Sequence, residues 1–268
     1  MKSNRKIIDI HTHIFPKPLA ARAVQNIGTY YSINMQCEGT SENLLQSIEE
    51  LPNIRFVISS ATLKYANLRN GNDFLLDEAQ KHKEFIPFSS FYPFMNVTEA
   101  KNELLRVKAL GTKGIKLHPD FQKFCIDDQN AIEIYKICEE LGLPILFHVG
   151  DENTDMSSPT RIYRVAEKLP GLKIIAAHLC GYKAWDEAER TIIGTSVYTE
   201  ISDALSCLSP ERVVDLIRRH GVDKVMFGSD FPLLSPAKSF ETFDKLAFSE
   251  DEKDMIYYKT AEKLFSLN

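Results

Sequence analysis

The sequence predicts a (β/α)8 barrel, and three observations carry that prediction. Eight short apolar runs rich in β-branched and aromatic residues recur along the chain. Helical patterns lie between them. The length, 268 residues, suits one barrel of roughly 250 residues.

The eight runs are Ile7–His13, Ile54–Ala61, Phe85–Tyr92, Thr112–His118, Pro144–Val149, Lys173–Leu179, Ser196–Ile201 and Lys224–Asp230. Most are continuously apolar, as strands buried on both faces are. Between the first two, Lys17–Gly39 is the longest break; it holds a short helix at Leu19–Ile27, and its aromatic-polar end can cover the barrel mouth. Ser41–Leu51 places Leu44, Leu45 and Ile48 on one helical face, and Val97–Leu110 does the same with Leu104, Leu105 and Val107. Gln129–Leu141 carries Ile132, Ile134, Tyr135, Ile137 and Cys138. Ser158-Pro159 and Ser209-Pro210 each read as an N-cap followed by proline at the first helical position, and Gly221 closes the helix that ends at His220. Ser249–Glu252 is a capping box opening the last helix. No linker, repeat or low-complexity segment divides the chain, so residues 1–268 read as one domain. A doubly wound open sheet is the structural alternative, but its usual Gly-rich first turn is replaced here by His-Thr-His-Ile-Phe-Pro.

Composition narrows the function classes. The chain is 44% hydrophobic and 26% charged, with a formal net charge of -5, and it has no basic patch, which argues against nucleic acid as a partner. No apolar stretch approaches the ~20 residues of a membrane span, and the N-terminus enters a strand rather than a signal-peptide apolar region. Five scattered cysteines without a Cys-x-x-Cys pair fit a reduced, cytoplasmic protein.

In a barrel the C-terminal strand ends carry the chemistry. Here the first ends in His11 and His13, the fourth in Lys116 and His118, the fifth in His148, the sixth in His178 and the eighth in Asp230; the seventh offers Glu200 and Asp203. Alternation along a strand places His11 and His13 on one face, and Gly114, Lys116 and His118 on another. The two remaining histidines, His82 and His220, lie near helix C-termini, where a charged imidazole is favourable. Five imidazoles and a carboxylate converging on one rim point to a catalytic divalent metal. Zn²⁺ suits such a set best, and Fe²⁺ or Mn²⁺ also accept it. Cys180 reads as packing after His178, and Trp185 as a pocket or helix-packing residue.

These residues resemble the amidohydrolase superfamily, in its amidohydrolase-2 branch of metal-dependent TIM-barrel hydrolases and decarboxylases. The resemblance rests on Ile8–His13, Gly114–Pro119, Leu143–His148, Ala176–Gly181 and Phe227–Pro232, and it covers nearly the whole chain. It implies that His11, His13, His148 and Asp230 ligate the metal. It also implies that His178 moves a proton or polarises substrate, or binds a second ion in binuclear members. In those members a carboxylate or carbamylated lysine bridges from the fourth strand. Lys116 is expected as a free ammonium that binds a substrate carboxylate with His118, so one ion is favoured, with two if Lys116 is carbamylated. The chain has Thr260-Ala261 where relatives often have Asn-Ala, away from the chemistry. Barrels of this family often pair, which allows for a homodimer, although no stretch marks an interface.

Metal-assisted hydrolysis of a small, carboxylate-bearing amide, lactone or ester is the first expectation. In it Asp230 takes a proton from water and passes it to the leaving group, while His178 and Lys116 stabilise developing charge. The alternative is non-oxidative decarboxylation of an aromatic or unsaturated carboxylic acid, for which Arg161 offers a carboxylate partner. A non-catalytic metal-binding scaffold is the third reading.

Overall fold

The computed structural model describes residues 3–267. Eight parallel strands run in chain order: β1 (Ile7–His13), β2 (Ile54–Ser59), β3 (Phe85–Ser89), β4 (Gly114–Leu117), β5 (Ile145–Phe147), β6 (Ile174–Ala176), β7 (Tyr198–Glu200) and β8 (Val225–Met226). Each predicted strand is present; β1 matches its run, and the other seven are shorter than theirs. Most of the excess lies past the last ladder pair, where the rim loops begin and His178, Leu179 and Asp230 turn left-handed. Backbone bonds close the ring: Ile10 N donates to Phe227 O at 2.9 Å, and His13 N to Phe231 O at 2.7 Å.

Two layers of core follow from strand alternation. Ile8, Ile10, Val57, Ile86, Phe88, Leu146, Ile175 and Met226 fill the barrel, and Ala261 and Phe265 of the last helix plug its lower end. Outward residues such as Ile115, Ile145 and Ile174 pack against the helices, among them Gln129–Leu141 and Pro159–Lys168. The capping box at Ser249 is present, with Ser249 and Glu252 bonded reciprocally. Ser158 occupies its N-cap position without a side-chain cap bond.

Three helical features depart from the sequence reading. The helix after β1, here α1, spans Lys17–Tyr31, one turn longer than expected at its C-terminal end. Ser41–Leu51 tightens into a 3-10 turn after Leu45. A helix at Leu68–Lys81 has no clear sequence pattern, because Asn70, Gly71 and Asn72 are poor helix formers at its start. Asn72 is buried there, accepting from Ser90 N at 2.8 Å and donating to Ser90 O at 3.1 Å. No helix among the described residues is long and apolar enough to cross a membrane.

His220 also differs from expectation. It is buried rather than a charged helix-end residue: Nε2 donates to Val197 O at 2.7 Å, and Nδ1 accepts from Gly194 N at 3.3 Å. Burial pushes its pKa down to about 4 from 6.5. The unfolded chain therefore binds the proton first as pH falls, so His220 stabilises the fold fully above pH ~6.5 and progressively less below it. Between pH 7.5 and 5 this amounts to about 2 kcal/mol. Denaturant melts at both pH values are expected to show His220→Gln losing less stability than the parent by that amount; an equal loss would remove His220 as the cause.

Candidate metal centre

The first group of ligands is built by β1 and the turn after β8. β1 carries one extra residue between Asp9 and Thr12, a bulge that re-aims the strand at the rim. Buried Asp9 ties the two elements together: its Oδ1 accepts from His11 N at 3.2 Å and Ser229 N at 3.1 Å. Asp230 N then donates to His11 O at 2.9 Å, and Asp230 adopts left-handed backbone, φ 54°. The result brings His11 Nε2 and His13 Nε2 to 3.1 Å. Asp230 Oδ1 lies 3.2 Å from the first and 3.3 Å from the second.

Hydrogen bonds assign the tautomers of this pair. His11 Nδ1 faces the Glu200 carboxylate at 2.9 Å and must donate to it. Ser59 Oγ gives its proton to Thr12 O at 3.0 Å, so it accepts from His13 Nδ1 at 3.2 Å. Burial holds the His13 pKa near 3 and that of His11 well below its usual value, with Lys116 adding to both shifts. Both rings are therefore neutral at pH 7, and two Nε2 lone pairs face one another beside a carboxylate. Lone pairs at that distance repel unless a cation or proton stands between them. The donor set, neutral imidazole plus carboxylate, fits a divalent metal ion.

A second group of imidazoles rises from β5 and β6. His148 Nε2 donates to Gly150 O at 2.8 Å, leaving Nδ1 open toward His178 Nε2 at 3.0 Å. Gly150 has φ 90°, and a Cβ there would meet Tyr182 O at 2.2 Å, so only glycine permits this turn. His178 Nδ1 lies 2.9 Å from Ser202 Oγ and 3.3 Å from Asp203 Oδ2. His178, Leu179 and Cys180 are all left-handed, as is Asp203. Such residues cost roughly 1–2 kcal/mol each, and the surroundings hold them in place. Leu179 N donates to Glu200 O at 2.6 Å, Cys180 N to Thr199 Oγ1 at 3.0 Å, and Trp185 Nε1 to His178 O at 2.9 Å. Trp185 thus supports the turn and does not line the cavity. Asp203 and Asp230 lie close enough to His178 to share an ion with it. Burial pushes both carboxyls up, with Asp230 and Glu200 adding at Asp203, and with Glu200 adding at Asp230, which reaches about 8.

The expected residues therefore fall into two lobes. His11, His13 and Asp230 converge; His148 enters the same cavity but pairs with His178. Lys116 is fully buried, its Nζ 2.9 Å from His11 Nε2, and burial lowers its pKa to about 8. It lies behind the cavity wall, not on it. His118 caps the short helix Pro119–Gln122, and its ring stacks between Phe121 at 3.8 Å and His148 at 4.0 Å. Arg161 is held by Asp127 and Asp155, away from the cavity.

The aromatic-polar segment expected to cover the mouth does so, although the residues facing it across the opening were not expected. Residues 17–39 contribute Ile27, Tyr31, Ile33 and Met35, which face Phe121, Tyr182 and Leu233 across the opening. Tyr31 OH lies 3.1 Å from both His118 Nε2 and His148 Nε2. Tyr30 OH donates to Asp151 Oδ2 at 3.1 Å and latches α1 down. The available signal was the aromatic end of the longest break between strands. No lysine or arginine lines this cavity among the described residues.

Comparison with known proteins agrees with this architecture. The amidohydrolase family model matches residues 8–267. A γ-resorcylate decarboxylase from Polaromonas sp. is 22% identical over 263 residues, covering 79% of each chain. An uncharacterised TIM-barrel protein from Bordetella bronchiseptica superposes with a TM-score of 0.78 at 20% identity, covering 98% of this chain and 99% of that one. A dihydroxybenzoic acid decarboxylase from Polaromonas sp. JS666, solved with manganese and 2-nitroresorcinol, superposes with a TM-score of 0.74 at 17% identity, covering 99% and 98%.

Proposed function

The chain belongs to the amidohydrolase family, and from that premise we propose that it is a metal-dependent, non-oxidative decarboxylase of an aromatic or unsaturated carboxylic acid. The observation that carries this reading is the cavity itself. An imidazole–carboxylate floor lies under a wall of Ile27, Tyr31, Ile33, Met35, Phe121, Tyr182 and Leu233. Such a wall favours a flat apolar body over a polar amide. The 22% identical relative named as a decarboxylase supports the same choice. Hydrolysis, the first expectation from sequence, becomes the second reading.

In this proposal His11, His13, Asp230 and His148 hold one divalent ion. When bound, that ion supplies positive charge that anchors the substrate's oxygens and draws electron density from the ring. Zinc is what the imidazole-rich set suggests, while the similar decarboxylase structure holds manganese. The chain's own residues do the remaining work. Tyr31, Phe121 and Tyr182 pack the ring, and α1 shields it from water. Lys116, held behind His11, adds positive charge to the floor without contacting solvent. As the bond from ring carbon to carboxyl breaks, carbon dioxide leaves and the electron pair stays on the ring carbon. Asp230, at the edge of the floor, gives that carbon a proton and is left as the carboxylate. His178, neutral and held by Ser202, orients the substrate oxygen.

The test is a product assay. Manganese- and zinc-loaded protein is incubated with 2,6-dihydroxybenzoate and a panel of aromatic and unsaturated acids, and in parallel with lactones, esters and amides. Release of carbon dioxide with the matching decarboxylated product is the expected result. Turnover confined to the second panel would put hydrolysis first.

A further inference from the structure

We infer that Glu200, acting with Ser202, is a positioning residue of this centre: one buried carboxylate sets the tautomers of both His11 and His178 and so turns both Nε2 lone pairs into the cavity. The inference rests on the metal-centre reading for its consequence but not for its geometry. Glu200 is the last residue of β7 and is completely buried. Its Oε1 accepts from His11 Nδ1 at 2.9 Å, His178 N at 2.8 Å and Ser202 Oγ at 2.7 Å, and its Oε2 accepts from Ser202 N at 2.6 Å. Every group around it is a donor, which calls for an acceptor-only side chain.

The second tautomer follows from the first set of bonds. Ser202 has one hydroxyl proton, and the carboxylate takes it. Its oxygen is then left to accept, and His178 Nδ1 at 2.9 Å supplies the proton. His178 Nε2 consequently carries a lone pair, as His11 Nε2 does. A carboxylate that reaches two imidazoles, one directly and one through a hydroxyl, thereby orients both lobes of the centre. The fold makes room for it. A Cβ on Gly228 would fall 2.1 Å from Glu200 Oε2 and 3.1 Å from His11 Cβ, so the glycine of Phe227-Gly228-Ser229-Asp230 leaves space for this carboxylate.

An apolar side chain of the same length cannot replace it: Glu200→Met leaves His11 Nδ1 without its acceptor. Glutamine is the weaker probe, because with its oxygen at the Oε1 position it keeps the bonds to His11, His178 N and Ser202 Oγ, and its NH2 meets only the Ser202 N–H. The test uses long-range ¹H–¹⁵N spectra of the metal-free full chain near pH 8, with rings assigned through His11→Asn and His178→Asn. Zinc affinity is measured alongside by competition with a chromophoric chelator. In the parent protein both rings are expected as Nδ1–H tautomers. In Glu200→Met, His11 leaves that form and zinc binds about 10–100-fold more weakly. In Ser202→Ala combined with Asp203→Gly, which also removes the carboxylate oxygen 3.3 Å from His178 Nδ1, only His178 changes. A folded Glu200→Met with both rings unchanged, or, where the parent binds zinc, with zinc affinity within twofold of the parent, overturns the inference. If Glu200→Met does not fold, the Ser202→Ala/Asp203→Gly protein decides it: an unchanged His178 overturns the inference, and a shifted one supports it. Glu200-dependent tautomers in a protein that takes up no zinc would sink the metal-centre reading and leave this one standing.

Discussion

Asp230→Asn is expected to lower turnover about 10²–10⁴-fold, the range a positioned proton carrier contributes, while leaving the fold intact. The structural reason for the second half is unusual. Asp230 sits at φ 54°, a region that asparagine tolerates about as well as aspartate. Its backbone N–H bond to His11 O is unaffected by the change. Asparagine also retains an oxygen that can lie where Oδ1 does, 3.2 Å from His11 Nε2 and 3.3 Å from His13 Nε2. What disappears is the charge and the ability to give up a proton to carbon. Thermal melts should show a transition close to the parent's, and the loss should appear in kcat on whichever acid the enzyme decarboxylates. A folded Asp230→Asn with parental kcat would assign the proton to another group, with His178 and Asp203 next in line.

How much of this site the sequence could show depends on what each feature needs. β-branched runs and the length of the chain were enough for the barrel, because strand count and alternation are local properties. His11 and His13 were legible because alternation puts i and i+2 on one face whatever surrounds them. The same rule placed Lys116 correctly toward the interior. His118, still extended at φ -130° and ψ 90° as the N-cap of Pro119–Gln122, lines the cavity. Pairings across the barrel were not legible. That His148 Nδ1 meets His178 Nε2, or that Glu200 serves two rings, depends on register between strands and on left-handed turns at non-glycine residues. No spacing rule encodes these. Tyr31 was legible as part of a cover over the mouth. Its reach to His118 and His148 was not, because that depends on where the helix carrying it lies.

His11→Ala is expected to reduce metal affinity by more than the 10–100-fold that outer-shell partners cost, and to bring activity to background. His11 is tied to four other side chains. Nε2 faces His13 and Asp230, Nδ1 donates to Glu200, and Lys116 Nζ lies 2.9 Å from Nε2. Its removal leaves a buried amine without this acceptor and a buried carboxylate short of a donor, each costing about 1–3 kcal/mol. Lower activity alone could then reflect a destabilised protein, so a second variant is needed to separate the causes. His11→Ala combined with Lys116→Met removes both partners of the Lys116 contact and should recover part of the stability, because deleting both ends of a buried polar contact costs less than deleting one. It should recover none of the metal binding. Elemental analysis after dialysis, with thermal melts of both variants, checks each half. A full metal complement in a stable His11→Ala protein would move the ion to the lobe of His148 and His178. His11 would then be the partner that keeps Lys116 and Glu200 satisfied rather than a ligand.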